Sequence, residues 1–233
     1  MRQWWALAGA ILIVSLVLLS GCQGGQAPAG SATTTTSSIA PTSTSTLGPT
    51  TTVSPLTTTT SIPGIIPGVA SVRYEDRQFG FSLDRPQNST IETQGFGAYL
   101  PLTQTPMVAI TLPKELFEGT NLIEAGVYIG SSSSPAIASK WNLPSAESGE
   151  VPAGTIEVNG TSFAVFTSTG AAAGNIYEER VYRALRNATC FEIVELLHSG
   201  NIDNYEAGVV AFDRGRFQSY LEAIVQTFSF VSG

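Results

Sequence analysis

Between Gln23 and Val72 the chain has no charged residue, and in all its 233 residues it holds one histidine and two cysteines. Each shortage removes a class of chemistry. Cys22 and Cys190 are the whole thiol supply, which is too little for a disulfide framework or a cysteine-ligated zinc centre. His198 stands alone, and no His-Glu-x-x-His pair, Asp-x-Asp-x-Asp-Gly loop or Gly-x-Ser-x-Gly elbow occurs. The composition therefore implies no cofactor and no metal centre. Basic residues are also scarce: eleven Lys plus Arg stand against eighteen Asp plus Glu, for a formal net charge of -7. That balance opposes binding to nucleic acid and flat docking on an anionic membrane.

What is present begins at the N-terminus. Arg2 precedes an apolar run from Trp4 to Leu19, then come Leu19-Ser20-Gly21-Cys22. A short positive start, an apolar core and small residues before a cut meet the physical needs of an export signal. The run is about 16 residues, short of the roughly 20 that a permanent span requires. Leu-Ser-Gly-Cys resembles the lipobox of bacterial lipoproteins. The resemblance implies cleavage between Gly21 and Cys22 and diacylglycerol, with acyl chains of the palmitate class, on the Cys22 thiol, with the chain held at the outer face of a bacterial membrane. Two or three acyl chains anchor stably where one does not.

The sequence thus divides into a signal peptide (1–21), a linker (22–68) and a folded domain (69–233). In the linker Thr, Ser, Pro, Gly and Ala dominate, with tracts at Thr33–Thr36 and Thr57–Thr60. Too few large apolar side chains are present to offset the entropy of ordering it, so a disordered tether is expected. About 45 residues of random coil span on the order of 40 Å, and roughly 140 Å when extended. Ser/Thr-rich stretches with Pro also resemble glycosylated stalks.

The domain reads mainly as strands. Tyr74 to Leu83 carries Phe79, Phe81 and Leu83 at alternate positions and is stopped by Asp84-Arg85-Pro86; Met107 to Leu112 is a second run. Leu122 to Ile129 places Ile123, Ala125, Val127 and Ile129 on one face, followed by a loop at Gly130 to Ser134. Asn159-Gly160 is a two-residue hairpin signal, and Gly170 to Gly174 a small-residue connection. A short helix is expected from Ser134-Pro135 to Trp141. A longer one follows Asp213 as cap, with Phe217, Tyr220, Leu221, Ile224, Val225 and Phe228 on one stripe. The fold class is therefore α+β, a largely antiparallel sheet packed against helices that include a C-terminal one.

The segment from Ile176 to His198 concentrates Glu178, Glu179, Arg180, Arg183, Arg186, Glu192, Glu195 and the only histidine. If Asn187-Ala188 is a hairpin turn, Arg183 faces Glu192, Arg180 faces Glu195, Val181 faces Val194, Tyr182 faces Ile193 and Leu185 faces Cys190. Each opposed charge pair supports the register by roughly 0.2–1 kcal/mol, and the cluster reads as sheet surface. His198 is either a strand-end histidine or a general base beside Glu195 or Asp203. Asn201 to Glu206 offers oxygens for turn formation or for a calcium ion. Cys190 reads as a buried small apolar side chain.

Tyr74-Glu75-Asp76-Arg77-Gln78-Phe79-Gly80-Phe81-Ser82-Leu83, with Pro86 after it, and Leu221 to Phe230 resemble the two ends of PsbP-like domains found in bacterial surface lipoproteins. The resemblance implies an antiparallel sheet sandwiched by helices and an accessory or protein-binding role, and carries over no catalytic residue. The expected function is a non-catalytic binding or scaffold module of the cell envelope, its partners the membrane through the lipid and an envelope protein or glycan. The alternative is an envelope hydrolase or transferase using His198 with nearby carboxylates.

Overall fold

The computed structural model describes residues 64–231. The signal segment, Cys22 and the linker up to residue 63 lie outside the described residues. Ile66, only 2% exposed, already packs into the main core, so the chain enters the fold ahead of Val69.

A seven-stranded antiparallel sheet organises the domain. Its strands are β3 (Thr90–Glu92), β4 (Thr105–Thr111), β5 (Leu122–Ser132), β6 (Val151–Val158), β7 (Thr161–Ala172), β8 (Asn175–Arg186) and β9 (Thr189–Gly200), in the order β3-β4-β5-β9-β8-β7-β6. Two meanders thus meet where β9 returns to pair with β5. A small sheet of β1 (Ser71–Asp76), β2 (Phe81–Pro86) and β10 (Ser229–Phe230) has β2 in the middle. The helices are α1 (Pro135–Ala138) and α2 (Arg214–Val225).

Local chemistry explains the long meander. Three two-residue turns join β6 to β9, at Asn159-Gly160, Ala173-Gly174 and Asn187-Ala188, and all six residues have positive φ. Mirror-image turns of this kind match the right-handed twist of the flanking strands. The Gly170–Gly174 segment is therefore strand and tight turn, not a loose connection. The β8–β9 register is the one that the Asn187-Ala188 turn dictates, with all five expected pairs opposed.

Alternation sends odd and even positions to opposite faces. One face carries Val127, Ile129, Phe163, Val165, Tyr182 and Ile193 against α2 and the small sheet. Phe217, Tyr220, Leu221, Ile224 and Val225 of α2 are buried there, and Asp213 caps the helix by accepting from the Arg216 amide at 3.0 Å. Phe228, just past the helix, stacks on Phe81 (5.6 Å) and meets Phe163 edge-on (5.8 Å), joining the chain's end to β2. On the other face, Tyr128, Ala164, Phe166, Val181, Val194 and Leu196 are covered by Phe96, Leu100 and Trp141 from two connecting segments. The first lies so close that a Cβ on Gly130 would meet Thr103 Cγ2 at 2.3 Å, which requires glycine at that point of β5.

Several sequence expectations change. Tyr74–Leu83 is a hairpin, with Phe79 in the turn and Gly80 at φ 70°. Ile123 forms a bulge in β5 and is exposed; Leu122 takes its place in the core. Gly130 to Ser132 continues β5 and is buried, because β9 pairs along its whole length. The first helix ends at Ala138, and Ser134 makes no side-chain cap.

Candidate functional site

On the face of the large sheet opposite α2, three neighbouring strands place Glu124 (β5), His198 (β9) and Tyr177 (β8) side by side in one row. The Tyr177 ring stacks on the His198 imidazole, with centroids 4.4 Å apart and planes 15° from parallel. Next to them Tyr99 packs on Tyr128 at 4.8 Å, and the Tyr128 hydroxyl donates to Glu124 Oε1. Tyr99, Tyr177 and His198 are partly buried, the His198 side chain being 13% exposed. Burial pushes the Tyr99 hydroxyl's pKa up, with Glu124 and Tyr177 adding to the shift. For Tyr128 burial and the Glu124 hydrogen bond act the same way, so both phenols stay neutral donors.

His198 Nε2 is hydrogen-bonded with Asn175 Oδ1 at 3.0 Å. Nδ1 is buried, has no hydrogen-bond partner and sits 4.0 Å from Glu124 Oε2. Burial pulls the imidazole's pKa below its ordinary value, opposed by Glu124. A general base must reach the proton it removes. Here Nε2 is engaged by Asn175 and Nδ1 is buried beside Glu124, an arrangement that suits hydrogen bonding better than proton abstraction.

The carboxylates paired with His198 from sequence are not its neighbours. Glu195 is three positions away on the same strand and points to the opposite face, where its Oε1 accepts from the Tyr182 hydroxyl at 2.7 Å. Asp203 lies in a short 3-10 turn, its amide bonded to Asn201 Oδ1 at 3.2 Å. The carboxylate that meets His198 is Glu124, and nothing local signals it. The pairing of β5 with β9 spans some 70 residues and depends on the bulge at Ile123.

The opposed charges of β8 and β9 are in the expected register but are not a sheet surface. Arg183 is fully buried and Glu192 is 1% exposed. Arg183 Nε donates to Glu192 Oε1 at 3.0 Å, while its two terminal nitrogens fork onto the Glu150 carboxylate and one also reaches the Leu143 carbonyl at 3.1 Å. Glu192 Oε2 accepts from the Leu102 amide and the Thr103 hydroxyl. Burial raises the Glu192 carboxyl's pKa, countered by Arg183 and these donors. The cluster clamps both covering segments onto the sheet and leaves no polar atom free for a ligand. Arg180 faces Glu195 in register, yet its ion pair is with Glu222 of α2.

Cys190 is buried and free, and burial pushes its thiol up to about 11, with Glu192 adding to the shift and Arg183 opposing it. Cys22, the expected lipidation site, lies outside the described residues.

No family model matches the chain, and no curated protein is similar to it. Among solved structures the chain is similar to the solution structure of cyanobacterial PsbP (CyanoP) from Synechocystis sp. PCC 6803. Identity is 11%, the TM-score 0.41, and the match covers 73% of this chain and 98% of that one. It is also similar to a crystal structure from Bacteroides thetaiotaomicron VPI-5482 at 10% identity and a TM-score of 0.40, covering 69% of this chain and 48% of that one. The chain thus spans about half the length of the Bacteroides protein. Likenesses this distant assign neither activity nor ligand, so any functional reading must come from the chain's own residues.

Proposed function

We propose that the folded domain is a non-catalytic binding module of the bacterial cell envelope, held to the outer face of a membrane by lipid on Cys22 and displayed on the uncharged tether. The observation that supports binding is the row Glu124, His198, Tyr177 with Tyr99 beside it. Partly buried rings are held in place by stacking, and carboxylate and amide groups flank them. Such a surface offers flat apolar faces at little entropic cost together with fixed hydrogen-bonding groups, which suits an envelope glycan, whose sugar rings have C–H faces and hydroxyl edges. The test is co-sedimentation of the full chain with isolated cell-wall sacculi. Retention by wild type and its loss in Tyr177→Ala, with the fold intact by circular dichroism, is the expected result; equal retention of both proteins overturns the glycan assignment. The anchor is tested separately, since Cys22→Ser abolishes incorporation of labelled palmitate if the lipobox operates.

A second reading, an envelope hydrolase or transferase, draws on the proximity of His198 Nδ1 to Glu124. His198→Ala with an unchanged cellular phenotype removes it.

A further inference from the structure

Two hairpin turns meet on the side of the large sheet that faces the small one. The β1–β2 turn brings Arg77 and Phe79, the β8–β9 turn brings Arg186, Asn187 and Thr189, and a pocket of about 250 Å³ opens between them. One water takes about 30 Å³ of liquid, so the space holds a phosphate-sized group with a short chain attached. Arg186 and Thr189 are the last opposed pair before their turn, one repeat beyond Ala184 and Phe191, which belong to the main core. Alternation therefore turns both side chains toward the small sheet.

The lining is rich in donors and poor in acid. The Arg186 guanidinium lies over the Phe230 ring, 4.3 Å from its centroid, and among the described residues it makes no ion pair or hydrogen bond. Phe230 is itself held edge-on against Phe191 (4.7 Å) and Phe228 (5.1 Å), so the guanidinium is positioned while its N–H groups stay open. Arg77 Nε donates to Glu75 Oε1 at 2.9 Å, which fixes the side chain and leaves its terminal nitrogens without a hydrogen-bond partner among the described residues. Asp76, the other acid near this turn, accepts from the Phe79 amide at 3.0 Å and the Tyr74 hydroxyl at 3.4 Å. Neither acid lines the pocket, and no other carboxylate of the described residues does. In a chain of net charge -7 this is a cationic enclave. It is also reachable, since Arg77 and Asn187 are exposed and Arg186 and Thr189 only partly buried.

Open guanidinium donors favour an anion over a neutral ligand, because charge-assisted hydrogen bonds are about twice as strong as neutral ones. The number of forks narrows the anion further. A carboxylate or a phosphodiester has two free oxygens, which one guanidinium fork engages in full. Two guanidiniums arriving from separate turns, with the Thr189 hydroxyl and the Asn187 carboxamide on the same wall, match a tetrahedral dianion with three or four free oxygens. We propose that this pocket binds phosphate, either free or as a phosphomonoester, through Arg77 and Arg186. The pocket lies on the opposite sheet face from His198 and stands independently of any glycan bound there.

The test is calorimetric titration of the full chain with inorganic phosphate, glycerol 3-phosphate, dimethyl phosphate and acetate, for wild type, Arg77→Gln and Arg186→Gln. Work at about pH 8 makes the monoester a dianion, and about 0.15 M salt screens non-specific attraction. Arg77 is exposed, so its variant keeps the fold, and circular dichroism checks both. Saturable binding of phosphate or glycerol 3-phosphate, weakened at least about tenfold in each variant, is the expected outcome. Acetate and dimethyl phosphate should bind at least about tenfold more weakly than either. Tighter binding of glycerol 3-phosphate than of phosphate supports an esterified ligand, and the reverse supports the free anion. No saturable binding by wild type overturns the proposal, as does either variant binding as wild type does, or acetate or dimethyl phosphate binding as tightly as the phosphate dianions.

Discussion

Replacing Arg183 with methionine removes the one cation that two buried carboxylates share, since Glu150 and Glu192 both bind its guanidinium. Losing one partner of a buried ion pair costs about 3–5 kcal/mol, because the survivors keep their desolvation penalty without the compensating charge. Arg183→Met should lose that much at neutral pH. The deficit should depend on pH with a defined sign. Without the guanidinium the Glu192 carboxyl, already raised by burial, has a folded-state pKa further above the ordinary value of about 4.3. Its stabilising, neutral form is then fully present below the unfolded value and is lost as pH rises through the folded one. The gap to wild type should therefore shrink as pH falls toward about 4. Unfolding in urea can be followed by fluorescence: Trp4 and Trp5 precede Cys22, so in a chain beginning at Cys22 the only indole is Trp141, which packs in the segment that Glu150 tethers. Replacing the whole cluster, Glu150→Leu with Arg183→Met and Glu192→Leu, should recover wild-type stability or exceed it by about 1–4 kcal/mol. An Arg183→Met cost below about 1 kcal/mol, or a deficit that does not change with pH, would refute the assignment of this cluster as the clamp.

Glu195, raised to about 8, contributes stability that is complete below the unfolded carboxyl value and lost as pH rises through its folded one. Glu195→Gln should therefore match wild type near pH 4 and exceed it in thermal midpoint above about pH 8. Ala188 sits at φ 59° in the β8–β9 turn. Ala188→Gly creates the preferred Asn-Gly pair and should stabilise the domain by roughly 0.5 kcal/mol in chemical denaturation, the relieved left-handed strain exceeding the added chain entropy; destabilisation would contradict the turn assignment. The Cys190 thiol, buried and pushed up to about 11, should resist a thiol reagent in the native chain and react at once in urea.

The β8–β9 hairpin was legible from sequence because a two-residue turn fixes every partner by counting, and five pairs follow from Asn187-Ala188 alone. The cap at Asp213 and the stripe on α2 were legible for the same reason: both are local patterns. Burial of Arg183 and Glu192 was not, since their cover comes from Leu102, Thr103, Leu143 and Glu150, distant segments with no periodic mark. The β5 alternation misled at Ile123, where a bulge shifts the phase by one residue.

The sequence by itself determined what lies within a turn or a few residues of its own signal: the apolar run ahead of Cys22, the uncharged stretch, the hairpins at Asn159-Gly160 and Asn187-Ala188, the capped amphipathic helix, and the excess of acid over base. The tertiary structure alone decided which charges meet. Alternation along β9 put Glu195 and His198 on opposite faces, the pairing of β5 with β9 gave His198 its carboxylate at Glu124, and the helix laid over β7 and β8 left the Glu195 oxygen dry and unpaired. Charges and rings act through space at a few ångströms, and chain separation carries almost no information about that distance until the sheet is closed.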